Sequence, residues 1–220
     1  MTDASKLSRR LVLLAAPSVA LAGCGSLHLL EPSNAPGKIY VLSPALPQIA
    51  GVSRPAWQVA VATPEASASL ATDRIAIRRQ EELDYYADAQ WSDGVPQLLQ
   101  TLFVDALQKN GVTAASDVTG IRADYILQSE IHSFEARYAQ ADGAPTVVVD
   151  ITVKLMAART AVIVASREFH QEQAASANSV AAAVAGFDQA VASALEDVVR
   201  WVMQAAPINR DIDSLEHRSH

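Results

Sequence analysis

Thr146-Val147-Val148-Val149-Asp150-Ile151-Thr152-Val153-Lys154-Leu155-Met156 alternates along its whole length. Val147, Val149, Ile151, Val153 and Leu155 fall on one side, and Val148, Asp150, Thr152, Lys154 and Met156 on the other. Successive side chains of an extended chain point to opposite faces, so this period of two marks a strand with one face in a core. Asp142-Gly143-Ala144-Pro145 before it and Ala157 to Thr160 after it read as turns. Two further strands flank it, at about Tyr125 to Tyr138 and Val162 to Gln171.

Earlier strands are shorter. Ile39-Tyr40-Val41-Leu42 ends at Ser43-Pro44, and Trp57 to Ala62 is closed by Pro64. Arg74 to Arg79 and Leu83 to Ala87 flank the polar turn Gln80-Glu81-Glu82 and read as a hairpin. A helix follows, with Val95, Leu98, Leu99, Leu102, Phe103, Ala106 and Leu107 on one face. Ser92 or Asp93 is its expected cap, Pro96 sits in its first turn, and Gly111 ends it. A second, longer helix is expected over about Ser179 to Gln204, with Val180, Val184, Phe187, Val191, Leu195, Val198 and Val202 stepping by three and four. The polar stretch from Pro207 to His220 is expected to be disordered. The fold class is therefore α+β: an antiparallel-rich mixed sheet with two main helices packed on one face.

The amino terminus reads as an address. Lys6, Arg9 and Arg10 precede an apolar run from Leu11 to Ala22, which closes on Leu21-Ala22-Gly23-Cys24. A basic region, a short apolar region and a small-residue site form a secretory signal peptide. The apolar run is about a dozen residues, and a spanning helix needs roughly 20. Leu-Ala-Gly-Cys resembles the bacterial lipobox, which implies cleavage between Gly23 and Cys24 and a diacylglyceryl group on the Cys24 thiol. Cys24 is the only cysteine, so no disulfide competes for it. Ser8-Arg9-Arg10-Leu11 also resembles a twin-arginine export signal, which leaves both export routes open. Gly25 stands where an aspartate would resemble an inner-membrane retention signal, so the periplasmic face of the outer membrane is the expected destination. Expected boundaries are 1–23 signal peptide, 24–37 lipidated tether, 38–206 folded domain and 207–220 tail. The tether, with Glu31-Pro32-Ser33-Asn34-Ala35-Pro36-Gly37, has an expected reach of roughly 20 Å.

The 220-residue chain carries a formal charge of −7. Loss of residues 1–23, with three basic residues and Asp3, takes the mature chain near −9. Such a balance argues against nucleic acid as a partner and against electrostatic adhesion to anionic lipid. Catalysis finds little support, since there is no Gly-x-Ser-x-Gly and no phosphate-binding Gly-x-x-x-x-Gly-Lys. His28, His132, His170, His217 and His220 lack metal-ligand spacing, so no metal and no cofactor beyond the lipid on Cys24 is expected. Glu81-Glu82 read as solvated turn charges. Arg74, Arg78 and Arg79 form a basic strip in an acidic domain; they either pair across strands with Asp84 or Asp88, or dock an acidic partner. Tyr85, Tyr86 and Trp91 cluster in sequence, and an exposed one would suit an interface. Arg74, Arg78, Tyr85 and Trp91 are the candidates for partner contact.

The order of these segments resembles the ABC-type transport auxiliary lipoprotein family. The matching pieces are Lys38-Ile39-Tyr40-Val41-Leu42-Ser43-Pro44, Thr72-Asp73-Arg74-Ile75-Ala76-Ile77-Arg78, Leu83-Asp84-Tyr85-Tyr86 and Trp91-Ser92-Asp93-Gly94-Val95-Pro96. Ala123-Asp124-Tyr125-Ile126-Leu127, Phe134-Glu135-Ala136, Ser166-Arg167-Glu168-Phe169, Ala185-Gly186-Phe187-Asp188-Gln189-Ala190 and Trp201-Val202 continue in order, covering about residues 38–205. Gly94-Val95-Pro96-Gln97 departs from the small residue and Pro-Leu of many relatives. The resemblance implies a non-enzymatic partner of MCE-type (mammalian cell entry) or paraquat-inducible-type lipid transporters. It implies contact with an MCE-type periplasmic protein and, through it, an ABC permease and ATPase; a homo-oligomer at the end of such a conduit is compatible with it. The competing readings are a structural lipoprotein unrelated to transport and a periplasmic lipid hydrolase.

Overall fold

The computed structural model describes residues 37–51, 54–116, 122–140 and 142–216, with side chains as far as Ala206. Eleven elements follow one another: β1 (Lys38–Tyr40), β2 (Gln58–Val61), β3 (Glu65–Ala66), β4 (Arg74–Arg79), β5 (Glu82–Trp91), α1 (Val95–Lys109), β6 (Thr113–Ser116), β7 (Tyr125–Tyr138), β8 (Thr146–Ala157), β9 (Val162–Ala174) and α2 (Val180–Glu216). The nine strands form one mixed sheet. β7, β8 and β9 make a long antiparallel ladder, as the alternation of residues 146–156 requires. The other edge of β7 receives three consecutive segments, all parallel to it: Val59 beside Tyr125, Glu65 beside Glu130, and Ala76 beside Glu135. β5 hairpins back on β4, β1 lies parallel to β5, and β6 lies parallel to β2.

Both helices share one hydrophobic core with the sheet. α2 packs on β8 and β9 and touches α1. Val147, Val149, Ile151, Val153 and Leu155 are all buried, so the odd positions of β8 face the helices. Phe134 of β7 stacks on Phe187 of α2 at 4.7 Å, and Trp91 meets Phe187 edge-on at 5.2 Å. Gly186 allows this approach: a Cβ there would stand 2.9 Å from Val147 Cγ2. Tyr125 donates its hydroxyl hydrogen to the Ala206 carbonyl, tying the second half of α2 to the start of β7. Near the other end, the Ser43 amide donates to Asp188 Oδ1 at 2.7 Å and fixes the chain just after β1.

Three expectations change. Gly94, not Ser92 or Asp93, caps α1, and Asp93 Oδ1 instead accepts from the Gly94 amide at 2.7 Å. Val95, the first residue of α1, donates its amide to the carbonyl of Thr72 in the loop before β4, which satisfies one of the four unpaired donors of the first turn. β3 and β6 are additional strands; at two and four residues they are too short to show periodicity. The backbone of α2 stays helical to Glu216, beyond the end expected near Gln204 and into the expected tail. Pro207 in this stretch removes one backbone donor but does not end the helix. Residues 1–36, with the signal peptide and tether boundaries, lie outside the described residues, as do residues 217–220.

Two outcomes test this packing. Gly186→Ala gains about 1 kcal/mol of helix propensity but forces α2 off Val147, so a net loss of about 1–2 kcal/mol is expected in denaturant unfolding. Asp188 is pushed above its ordinary value by burial, against the opposing Ser43 bond. A carboxyl whose folded pKa is raised makes stability fall as pH climbs from the unfolded pKa through the folded one. Asp188→Asn keeps an acceptor for Ser43 and removes that charge. The variant should equal or exceed the parent in thermal melts at about pH 7 and lose that advantage below about pH 4.

Candidate functional site

β7 changes parity midway. Its register against β8 shifts between Ile131 and Ser133. Before the shift, Tyr125, Leu127 and Ile131 are the buried odd positions; after it, Phe134, Ala136 and Tyr138 are the buried even ones. A β-bulge adds one residue and reverses which side chains face the core. Ser133, Glu135 and Arg137 are thereby turned to the face of the sheet opposite α2. Arg78 joins them, since it lies beside Arg137 on the neighbouring parallel strand.

Glu135 is 0 % exposed and holds both guanidinium groups. Arg78 Nε donates to Glu135 Oε1 at 2.6 Å and Nη2 to Oε2 at 3.2 Å, a two-pronged grip. Arg137 Nε donates to the same Oε1 at 2.9 Å, and its Nη2 donates to Ser133 Oγ at 3.0 Å. The arginine side chains remain 33 % and 40 % exposed. The bond to Glu135 raises the Arg78 pKa against the cost of burial. Arg74, two residues before Ala76 on the same strand, stacks over the Tyr85 ring at 3.7 Å. Tyr85 donates its hydroxyl hydrogen to the Ser69 carbonyl at 3.0 Å, which fixes the ring.

The structure therefore brings Arg74, Arg78 and Tyr85 together on one surface and separates Trp91 from them. Trp91 is 1 % exposed, wedged between Phe134 and Phe187, and is a core residue. Arg78 pairs across strands with Glu135, where Asp84 or Asp88 was expected, because β4 has β7 on its other edge. Arg79 lies over the Tyr138 ring at 5.0 Å, where Tyr86 and Tyr138 share a hydroxyl bond of 2.8 Å. Burial and that bond raise the Tyr86 pKa. Glu135, Arg137 and Ser133 were not anticipated; the signal was the parity shift of apolar residues between Ile131 and Phe134.

Farther along the same face the sheet is polar. His132 Nε2 lies 2.8 Å from Thr152 Oγ1. His170 sits between Asp150 at 3.2 Å and Glu172 at 3.3 Å, and the Asp150 bond is the main cause of its raised pKa. No group of three His, Cys, Asp or Glu side chains suited to a metal occurs among the described residues. Among those residues no helix is long and apolar enough to cross a membrane. Gly23 and Cys24, the cleavage and lipidation candidates, lie outside the described residues.

A family model described as ABC-type transport auxiliary lipoprotein component matches residues 40–199. An uncharacterized protein of Bradyrhizobium diazoefficiens is 26 % identical over 185 residues, which covers 81 % of this chain and 49 % of that protein. The chain thus spans about half the length of the curated relative it matches. A crystal structure of a Xanthomonas campestris protein superposes with a TM-score of 0.74 at 26 % identity, covering 80 % of this chain and 99 % of that one. A second crystal structure, of an uncharacterized protein, shares the fold at a TM-score of 0.59 and 18 % identity, with coverages of 74 % and 97 %.

Removing the shared acceptor tests the arginine network. Glu135→Ala leaves two guanidinium groups around a vacated, desolvated position, and a loss of about 3–5 kcal/mol in unfolding free energy is expected. A change under about 1 kcal/mol, the range of exposed pairs, would show that solvent screens the network.

Proposed function

Because the chain belongs to the ABC-type transport auxiliary lipoprotein family, we propose that it serves, without catalysing a reaction, as the membrane-anchored auxiliary subunit of an MCE-type lipid transport system. The observation that carries this reading is the family match across residues 40–199, and the lipobox-like Leu21-Ala22-Gly23-Cys24 ahead of it supports it. In this role Cys24 is acylated and the domain faces the periplasm from the outer membrane. There it docks the periplasmic assembly whose permease and ATPase lie at the inner membrane. Lipids are insoluble, so movement between membranes needs a shielded route, and a tethered domain at its far end holds that route in place.

The physical division of labour is simple. Each buried acyl methylene contributes about 0.8 kcal/mol, so two or three chains make attachment effectively permanent. The tether confines the domain near the bilayer and raises its effective concentration for anything that reaches that surface. The folded domain is then free to present a protein-binding face. Arg74, Arg78 and Tyr85 belong to that face in this reading, and Trp91 supports it from the core.

Three measurements test the role together. Mass spectrometry of protein from native membranes should find a diacylglyceryl-modified Cys24 at the new amino terminus; an unmodified thiol removes the anchor from the reading. Detergent-extracted protein should co-purify with an MCE-type subunit, and Cys24→Ser should abolish complementation of a deletion strain. Clean failure of co-purification by intact, acylated protein would favour a lipoprotein unrelated to transport.

A further inference from the structure

We propose that Arg78, Arg137 and Arg74 form a receptor for the carboxylates of an extended acidic segment of a partner protein. The proposal deepens the docking reading above, and rests on it only for the setting in which that partner is met.

Glu135 is the first reason. A buried ion network contributes little net stability compared with apolar side chains of the same volume. What it supplies here is orientation: one carboxylate fixes two guanidinium planes, with Ser133 Oγ as a further stop on Arg137. Those bonds use Nε and Nη2 of each arginine, and a guanidinium has five N–H donors, so each arginine keeps donors that Glu135 and Ser133 do not use. Planar forks held in advance suit carboxylates, which accept two parallel bonds. Two arginines and one glutamate leave one positive charge before Arg74 is added. Arg74 is held separately, by the ring of Tyr85.

Charge complementarity selects the occupant. Glu81, which raises the Arg78 pKa, borders the strip, and Asp150 stands opposite Ser133 on the next strand, so the positive surface is narrow. A mature chain near −9 is repelled by an extended anionic bilayer. A slender peptide feels mainly the charges within a Debye length of about 8 Å, so the three guanidinium groups act on it more than the distant acidic residues of the chain do. A line of basic side chains along strands fits an extended acidic segment better than a flat membrane.

The test uses the purified mature chain and a fluorescein-labelled oligoglutamate peptide, read by fluorescence anisotropy. Binding is expected at low salt, with a loss of about tenfold when ionic strength is raised to about 0.3 M. Arg137→Gln and Arg74→Gln should each weaken it about fivefold or more. Arg74 makes no bond to Glu135, so that variant keeps the network and separates binding from folding. Lys154→Gln, on the same face but in the polar region farther along, should leave binding unchanged. Absence of peptide binding, or binding by both the Arg74 and the Arg137 variant as tight as that of the parent, overturns the proposal. So does Arg137-dependent sedimentation with vesicles of equal phosphatidylcholine and phosphatidylglycerol in place of peptide binding. None of these outcomes alters co-purification with the transport subunits, so the inference can fail while the proposed role stands.

Discussion

The one-residue slip of β7 against β8 between Ile131 and Ser133 governs both faces of the sheet. Side chains alternate strictly along a strand, so an uninterrupted β7 would aim Glu135 at Phe187 and turn Phe134 outward. The bulge reverses that choice at a single point. Phe134 then joins Trp91 and Phe187 in the core, while Glu135 meets Arg78 and Arg137 on the far side. An aromatic cluster and an ion network occupy opposite sides of the same few residues, and neither survives loss of the slip.

Long periodic elements were legible because local pattern and tertiary environment agree. The alternation of residues 146–156 matches β8, and the helical step through Phe187 and Val198 matches the buried stripe of α2. What escaped were features set by distant partners. The parallel docking of β2, β3 and β4 on β7 has no local signature, because each pairing joins residues far apart in sequence. Trp91 looked available for an interface; β4 and β5 carry their own register irregularity between Arg74 and Ala76, and the far end of β5 turns its indole into the core.

The arginine strip itself was visible as an oddity in an acidic chain, while its organisation was not. Arg74, Arg78 and Arg79 are close in sequence, yet they meet three different environments: a tyrosine ring, a buried carboxylate and a second tyrosine ring. Glu135 gives no sign of its two arginine partners until the bulge and the neighbouring β4 are known. Arg137 shares that history. Charge counts thus located the unusual surface, but only the register explained why its guanidinium groups are held still.

The docking of β2, β3 and β4 along one edge of β7 also bears on how the chain folds. Val59 waits for Tyr125, and Ala76 waits for Glu135. High sequence separation between contacts slows folding, because loop-closure entropy must be overcome before any pairing is gained. A chain emerging amino terminus first can pair β2 with β6 but has no strand to receive β3 until β7 has followed. The β4–β5 hairpin can close locally, but its docking on β7, and that of β3, must wait until β7 is available, which leaves strand edges open to aggregation in the meantime.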